Sequence, residues 1–269
     1  MEKYYDPKAH RLIFLKKKAD ASFWESHWQK YDRRQTIRPA IYSRAILNPT
    51  KKYLLKGARV LEGGCGLAQN VWALHASGYD AYGIDYAKKT VDKLNANIPE
   101  LNVRYGDVRK LEFETNFFDG YWSLGVIEHF YDGFDRIATE MRRVVRSGGY
   151  LFLTFPCISW LRELKIKHQK YPIWAENTYQ SEFYQFALHS ASVAETFKKY
   201  DFVLNEKTKF AGFKGLKDEV EEGYIRDKMQ RLYDSKRLLS KGFVWGLNQI
   251  ISPLTGHMQL MIFQNIKQP

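Results

Sequence analysis

The sequence predicts an α/β fold, a mostly parallel sheet with helices on both faces. Three observations carry this. From residue 58 onward, short apolar runs alternate with helical segments, the pattern of a sheet crossed over by helices. The stretch Arg59-Val-Leu-Glu-Gly-Gly-Cys-Gly-Leu-Ala-Gln-Asn70 reads as a buried strand, a glycine turn and the start of a helix. The chain of 269 residues is long enough for one large domain with insertions, and no apolar run approaches the roughly 18–20 residues of a membrane-crossing helix.

Taken in order, the strands are expected at 58–62, 80–84, 101–105, 118–124, 149–155, 202–206 and 258–265. Helices are expected at 67–77, 87–97, 133–145 and 190–200, with Gly78 closing the first as a C-terminal cap. A further helix over 40–56 leads to the first strand, with a break or restart at Asn48-Pro49. Arg146-Ser147-Gly148-Gly149 reads as a turn feeding the fifth strand.

Residues 1–39 form a basic, aromatic segment in front of the domain at 40–269. Leu12-Ile13-Phe14-Leu15, flanked by Arg11 and Lys16-Lys17-Lys18, reads either as a basic amphipathic element at a membrane surface or as packing over the active site. Trp24, Trp28 and Tyr31 share one helical face, as a core-packed stripe or as a lid. Two stretches exceed a minimal sheet. Residues 156–189 hold Trp160, His168, Tyr171, Trp174, Tyr179, Phe183, Tyr184 and Phe186, and start at the carboxyl end of the fifth strand, so they read as a substrate-facing cap. Residues 207–257 read as mostly helical, a second cap element or a dimer surface.

The net charge is +12, unevenly placed: residues 1–60 carry 15 Lys/Arg against 5 Asp/Glu, whereas 61–149 carry 10 against 13. Such basic flanks attract phosphates, anionic lipid or nucleic acid. The two cysteines, Cys65 and Cys157, give no disulfide framework, and the charged start has no signal-peptide core, so a cytoplasmic location is expected.

The glycine turn is built for a ligand. Gly64 and Gly66 permit close backbone approach, the helix start beyond them offers unpaired N–H groups, and Glu62 suits a ribose and purine better than a pyrophosphate. Asp85 closes the second strand 21 positions after Gly64, where a carboxylate can accept from ribose hydroxyls. These residues, with Tyr105-Gly106-Asp107-Val108 after the third strand and Phe118 to Phe130 around the fourth, resemble the class I S-adenosylmethionine-dependent methyltransferases, in the small-molecule branch of ubiquinone and menaquinone biosynthesis. Val60-Leu61-Glu62-Gly63-Gly64-Cys65-Gly66-Leu67-Ala68 matches the family's first motif, with Ala68 where a third glycine is usual.

The resemblance implies a Rossmann-like, seven-stranded, mostly parallel sheet in the order 3-2-1-4-5-7-6. It implies S-adenosylmethionine as cofactor and S-adenosylhomocysteine as product, held by Glu62, Gly64, Cys65 and Gly66. Asp85 would then meet the ribose, Tyr86, Asp107 and Val108 the adenine, and Ser123, Leu124 and Gly125 the methionine half. His129, at the end of the fourth strand, is the best-placed general base, with His27, His168, His189 and Tyr184 as weaker candidates. Gly125 stands where some quinone-biosynthetic relatives have a metal-binding Glu, so no metal is expected. The acceptor is expected to be a small molecule, anionic or lipid- or sugar-linked, methylated at a hydroxyl, by a monomer or homodimer with peripheral membrane contact. A nicotinamide enzyme is disfavoured because Gln69 stands where its fingerprint needs glycine. The missing Asn/Asp-Pro-Pro-Tyr/Phe signature argues against base N-methylation, leaving RNA methylation and a non-catalytic cofactor-fold subunit as alternatives.

Overall fold

The computed structural model describes residues 1–29, 43–175 and 180–268. Its centre is a seven-stranded sheet of β3 (Arg59–Gly63), β4 (Asp80–Asp85), β5 (Asn102–Tyr105), β6 (Phe118–Leu124), β7 (Val145–Pro156), β9 (Phe202–Phe210) and β10 (Met258–Asn265). The spatial order is β5-β4-β3-β6-β7-β10-β9. Numbered by their place in this sheet, the strands run 3-2-1-4-5-7-6, as expected. β10 alone runs against its neighbours β7 and β9.

Both faces are covered, so adjacent strand residues enter opposite cores. Val60, Trp122, Phe152 and Ile262 pack with Ile46, Leu54, Val71, Leu74, Val91 and Leu94. These come from α2 (Ser43–Tyr53), the turn after it, α3 (Gln69–Ala76) and α4 (Lys88–Asn97). Leu61, Tyr121, Leu153 and Met261 pack with Ile137, Met141, Val193 and Phe197 on the other face. Those belong to α5 (Asp135–Val144) and α7 (Ser190–Lys198).

Three sequence expectations are corrected. α2 runs through Pro49 without a break; one side chain of its inner face, Thr50, anchors the turn by donating to Ile46 O (2.7 Å) and accepting from the buried Trp122 indole (3.0 Å). Arg146 to Gly149 belong to β7 itself, whose register against β6 shifts between Phe118 and Gly120 while Gly148 takes φ +73°. Leu12 to Leu15 are no membrane element. β1 (Glu2–Asp6) and β2 (Arg11–Leu15) form a hairpin that pairs with β8 (Phe183–Ala187) as a second, antiparallel sheet. Leu12 and Phe14 pack on Tyr171 and Ala187, Ile13 and Leu15 on the main core, so both faces of β2 are buried.

The hairpin therefore joins the insertion after β7, which also contains α6 (Trp160–Lys167). Tyr5 N–H donates to Pro172 O (2.8 Å) and Trp174 N–H to Tyr5 O (2.8 Å). Helices α8 (Gly212–Glu219), α9 (Tyr224–Asp234) and α10 (Leu238–Thr255) fill the span between β9 and β10. One buried carboxylate links these additions. Glu219 of α8 accepts from Arg162 Nε (3.0 Å), Lys3 Nζ (2.9 Å), Lys165 Nζ (3.1 Å) and Tyr171 OH (2.7 Å). Burial alone would raise its pKa, but Arg162 and Lys3 outweigh that and hold it at about 2. Removing one partner of a buried pair strands the other charge, at a cost of about 3–5 kcal/mol. Glu219→Ala is therefore expected to lower the denaturant midpoint by that equivalent, because the Arg162 guanidinium stays buried with Cys157 O, His257 Nδ1 and the Phe14 ring but no carboxylate partner among the described residues. A loss under about 1 kcal/mol would show that the network is not what holds the additions together.

Candidate active site

A cavity of about 970 Å³ opens at the carboxyl ends of β3, β4, β5 and β6, where ligands bind in open α/β sheets. Glu62, the penultimate residue of β3, is buried and lines it. Its Oε1 accepts from Asn70 Nδ2 (2.8 Å), while Oε2 is buried with no protein partner among the described residues. Burial pushes this carboxyl up to about 8. The chain then turns sharply. Gly64 (φ +76°) and Cys65 both donate N–H to Ile84 O, at 2.8 and 3.0 Å, and a Cβ on Gly64 would lie 2.7 Å from Val126 Cγ2. Gly66 (φ +52°) has Trp28 against it, 2.6 Å from where a Cβ would stand. Ala68, in the usual glycine place, also takes positive φ (+55°), which explains why the family pattern favours glycine there.

Asp85 ends β4. Its Oδ2 accepts from Gly66 N–H (2.8 Å) and its Oδ1 from Ala87 N–H (2.9 Å), so it ties the glycine turn to the start of α4. Burial raises its pKa against the opposing pull of these N–H groups. Tyr86 follows in the cavity wall and donates its hydroxyl to Ala19 O (3.1 Å), which fastens the N-terminal segment over the site. Asp107 and Val108 line the next side. Asp107 is clasped by Arg109, whose Nε lies 3.0 Å from both carboxylate oxygens; burial works against ionisation, but Arg109 prevails and lowers the pKa.

Leu124 and Gly125 reach the cavity, whereas Ser123 does not. Ser123 is fully buried one position earlier on β6, and strand alternation turns it away. Gly66 likewise contributes its N–H to Asp85 rather than a surface to the cavity. His129 ends a single 3-10 turn, Ile127–His129, after β6. Its Nδ1 is 2.7 Å from Tyr184 O; a carbonyl only accepts, so Nδ1 carries the hydrogen and Nε2 keeps its lone pair. Its ring packs edge-on against Trp24 (5.1 Å) and Tyr184 (5.2 Å), and burial pushes its pKa down to about 4. The imidazole is neutral at pH 7.

Trp24, His27 and Trp28 of α1 (Ala21–Gln29) form one wall, with Ser181 and Phe183 of the insertion. Tyr31 and Tyr179 lie outside the described residues. Of the weaker base candidates, His27 lines the cavity and Tyr184 touches the His129 ring. His168 caps the end of α6, and His189 sits beside His10 and Glu163 in a separate polar cluster between hairpin and insertion. Sequence reasoning missed Asn70 and Arg109. Their signals were weak: a polar residue in the first turn of α3, and an arginine two positions after Asp107.

A carboxylate at or just beyond the carboxyl end of each of three adjacent parallel strands, around a glycine turn and one shared cavity, suits a nucleoside-containing ligand. Residues 61–153 match the family model described as a methyltransferase domain. Over 104 residues the chain is 34% identical to phthiotriol/phenolphthiotriol dimycocerosates methyltransferase 1 of Mycobacterium ulcerans, covering 37% of this chain and 38% of the relative. Over 109 residues it is 33% identical to a fatty-acid O-methyltransferase of Mycolicibacterium smegmatis, again covering 37% and 38%. The matched region thus spans well under half the length of these curated relatives. The fold is shared with a TehB-like SAM-dependent methyltransferase of Corynebacterium glutamicum, at a TM-score of 0.54 and 16% identity over 91% of this chain and 100% of that one. Residues 61–153 thus resemble a methyltransferase domain, on a fold shared with S-adenosylmethionine-dependent methyltransferases.

The raised Glu62 pKa has a measurable consequence. A cationic group beside Oε2 would favour the carboxylate, so binding expels a proton wherever free Glu62 is still protonated. Below about pH 8 the affinity for a cationic ligand is expected to rise with pH, by up to about tenfold per unit, and to level off above it. Calorimetric titration at pH 7 in buffers of different ionisation enthalpy reads the released proton, and Glu62→Gln should abolish that release. Equal heats in all buffers would contradict the assignment.

Proposed function

We propose that this protein transfers a methyl group from S-adenosylmethionine to a hydroxyl of a small-molecule or lipid- or sugar-linked acceptor. The observation that carries the reading is Glu62, which lines the same cavity as Asp85 and His129 and whose buried Oε2 has no partner among the described residues. An acceptor oxygen left without a donor in a desolvated wall calls for a cationic, hydrogen-bond-donating ligand. Glu62 would take the cofactor's ammonium, and Asp85 would accept from its ribose while still holding Gly66 N–H. Tyr86, Asp107 and Val108 would flank the adenine, and Leu124 and Gly125 the methionine chain. Bound there, the cofactor supplies an activated methyl carbon on a sulfonium and a good leaving group.

The protein's own tasks are to orient the acceptor, exclude water and take a proton. The aromatic wall of Trp24, Trp28 and Phe183 suits exclusion of water and an apolar acceptor. His129 Nε2 would accept the hydroxyl proton. A base depressed by burial is a weak one in the empty cavity. On transfer, however, the positive charge of the sulfonium is lost as the proton arrives on His129, so the cavity's net charge is unchanged. The named activities of the two mycobacterial relatives, on a phthiotriol lipid and on fatty acids, support a lipidic acceptor. The test is transfer of tritium from methyl-labelled S-adenosylmethionine into fractionated extracts. Label in an organic-soluble or polar-lipid fraction is expected, stable to the alkaline treatment that cleaves methyl esters. Label confined to RNA or protein, or no label with any fraction, would contradict the reading.

A further inference from the structure

Helix α10 is fastened to the protein largely by polar side chains: Asn248 Oδ1 accepts from Phe213 N–H (2.8 Å), Ser252 Oγ accepts from Gly212 N–H (3.1 Å), and Thr255 donates to Gly212 O (2.9 Å), with Ile251 packed beside them against Gly212. Its outward face is apolar. Leu239, Phe243, Ile250 and Leu254 follow the i, i+4, i+11, i+15 spacing of one continuous helical stripe. Leu239 is 90% exposed, Ile250 75%, Phe243 60% and Leu254 50%, and Leu238 (86%) and Trp245 (68%) are exposed on another flank of the helix. A monomer in water gains nothing from such a face, because the hydrophobic contribution of each of these side chains is forgone.

The flanks indicate what covers it. α10 contains no acidic residue, and Lys236, Arg237 and Lys241 surround its start. The neighbouring helix α9, which has no buried residue, adds the exposed Tyr224 and Ile225 with Arg226, Lys228 and Arg231. Lys228 Nζ lies 4.2 Å from the Tyr224 ring centroid, a cation held over an aromatic face. No helix among the described residues is long and apolar enough to cross a membrane. An apolar stripe with Phe, a flanking Trp, basic residues at its rim and no acid within it is the composition of a helix lying in the plane of an anionic bilayer surface. A second copy of the chain would bring the same cations face to face on a protein of net charge +12.

We propose that α10, with the start of α9, docks the protein on an anionic lipid surface, with Leu239, Phe243, Ile250 and Leu254 entering the acyl boundary. The test is flotation of the full chain with vesicles of phosphatidylcholine alone or with 30–40% phosphatidylglycerol (roughly the anionic density that a polybasic rim senses). Strong binding to the anionic vesicles and at least tenfold weaker binding to the neutral ones are expected. Leu239→Glu/Phe243→Glu/Ile250→Glu should lower anionic-vesicle binding at least tenfold, and Lys236→Glu/Arg237→Glu/Lys241→Glu should remove the preference for anionic lipid. Binding of S-adenosylhomocysteine by both variants should stay unchanged, which verifies their fold independently of the membrane readout. A wild type that ignores the vesicles overturns the proposal, as does a dimer in sedimentation that the Glu variant dissociates while vesicle binding persists.

Discussion

Asp85→Ala is expected to weaken S-adenosylhomocysteine binding by about a hundredfold or more, which is ~2.7 kcal/mol at 1.36 kcal/mol per decade. Two losses combine. Gly66 and Ala87 N–H groups lose their acceptor, so the glycine turn is no longer tied to β4 and α4. The ribose hydroxyls lose a charged acceptor, and a hydrogen bond to a charged group contributes about 1.5–3 kcal/mol. Asp85→Asn keeps one acceptor oxygen and should fall between the wild type and the alanine variant. The Ala variant's melting temperature without ligand separates the two losses, since only the first acts on the empty protein. A change below about threefold in affinity would mean that Asp85 only shapes the turn.

The second large effect concerns His129. His129→Ala should lower turnover by about 10²–10⁴, the usual worth of a positioned base, with cofactor affinity nearly unchanged. Because burial holds its pKa at about 4, the imidazole remains a neutral base well below pH 6. Turnover at saturating cofactor should therefore fall only as pH drops through about 4, and not near 6.5. The same depression costs stability in acid: unfolded His129 takes up a proton below its ordinary value of 6.5 while the folded ring refuses it until about 4, so this contribution weakens as pH falls through that window. His129→Asn is the discriminating variant. Its amide can donate to Tyr184 O as Nδ1 does, but it cannot take a proton. Turnover restored by Asn would make His129 a positioning residue for the β8 segment and remove it from the chemistry.

The sheet was legible because every central strand is covered on both faces and its ends carry turn residues; the strand bounds at 118–124 and 258–265 match those observed. The cavity residues were legible where chemistry sits at the end of a strand, as with Glu62, Asp85 and Asp107. Ser123 was misplaced by one position, because a motif read as a string does not say which side of the pleat each residue takes. The hairpin was illegible for a related reason. Leu12 to Leu15 form an unbroken apolar run, and only the presence of partners on both sides, Tyr171 and Ala187 on one and the main core on the other, distinguishes a doubly buried strand from an interfacial helix. The helical span after β9 was read as a cap or dimer surface. Which side of α10 faces water depends on where α8 lies, and the polar side chains that answer this, Asn248 and Ser252, look in sequence like an ordinary outer face.

The central claim, a site for S-adenosylmethionine beside Glu62 and Asp85, is tested most directly by calorimetric titration of that cofactor into the wild-type protein at pH 7. One equivalent bound with micromolar affinity, with release of a proton, is the predicted result. A cleanly folded protein that shows no heat of binding with either S-adenosylmethionine or S-adenosylhomocysteine would contradict it.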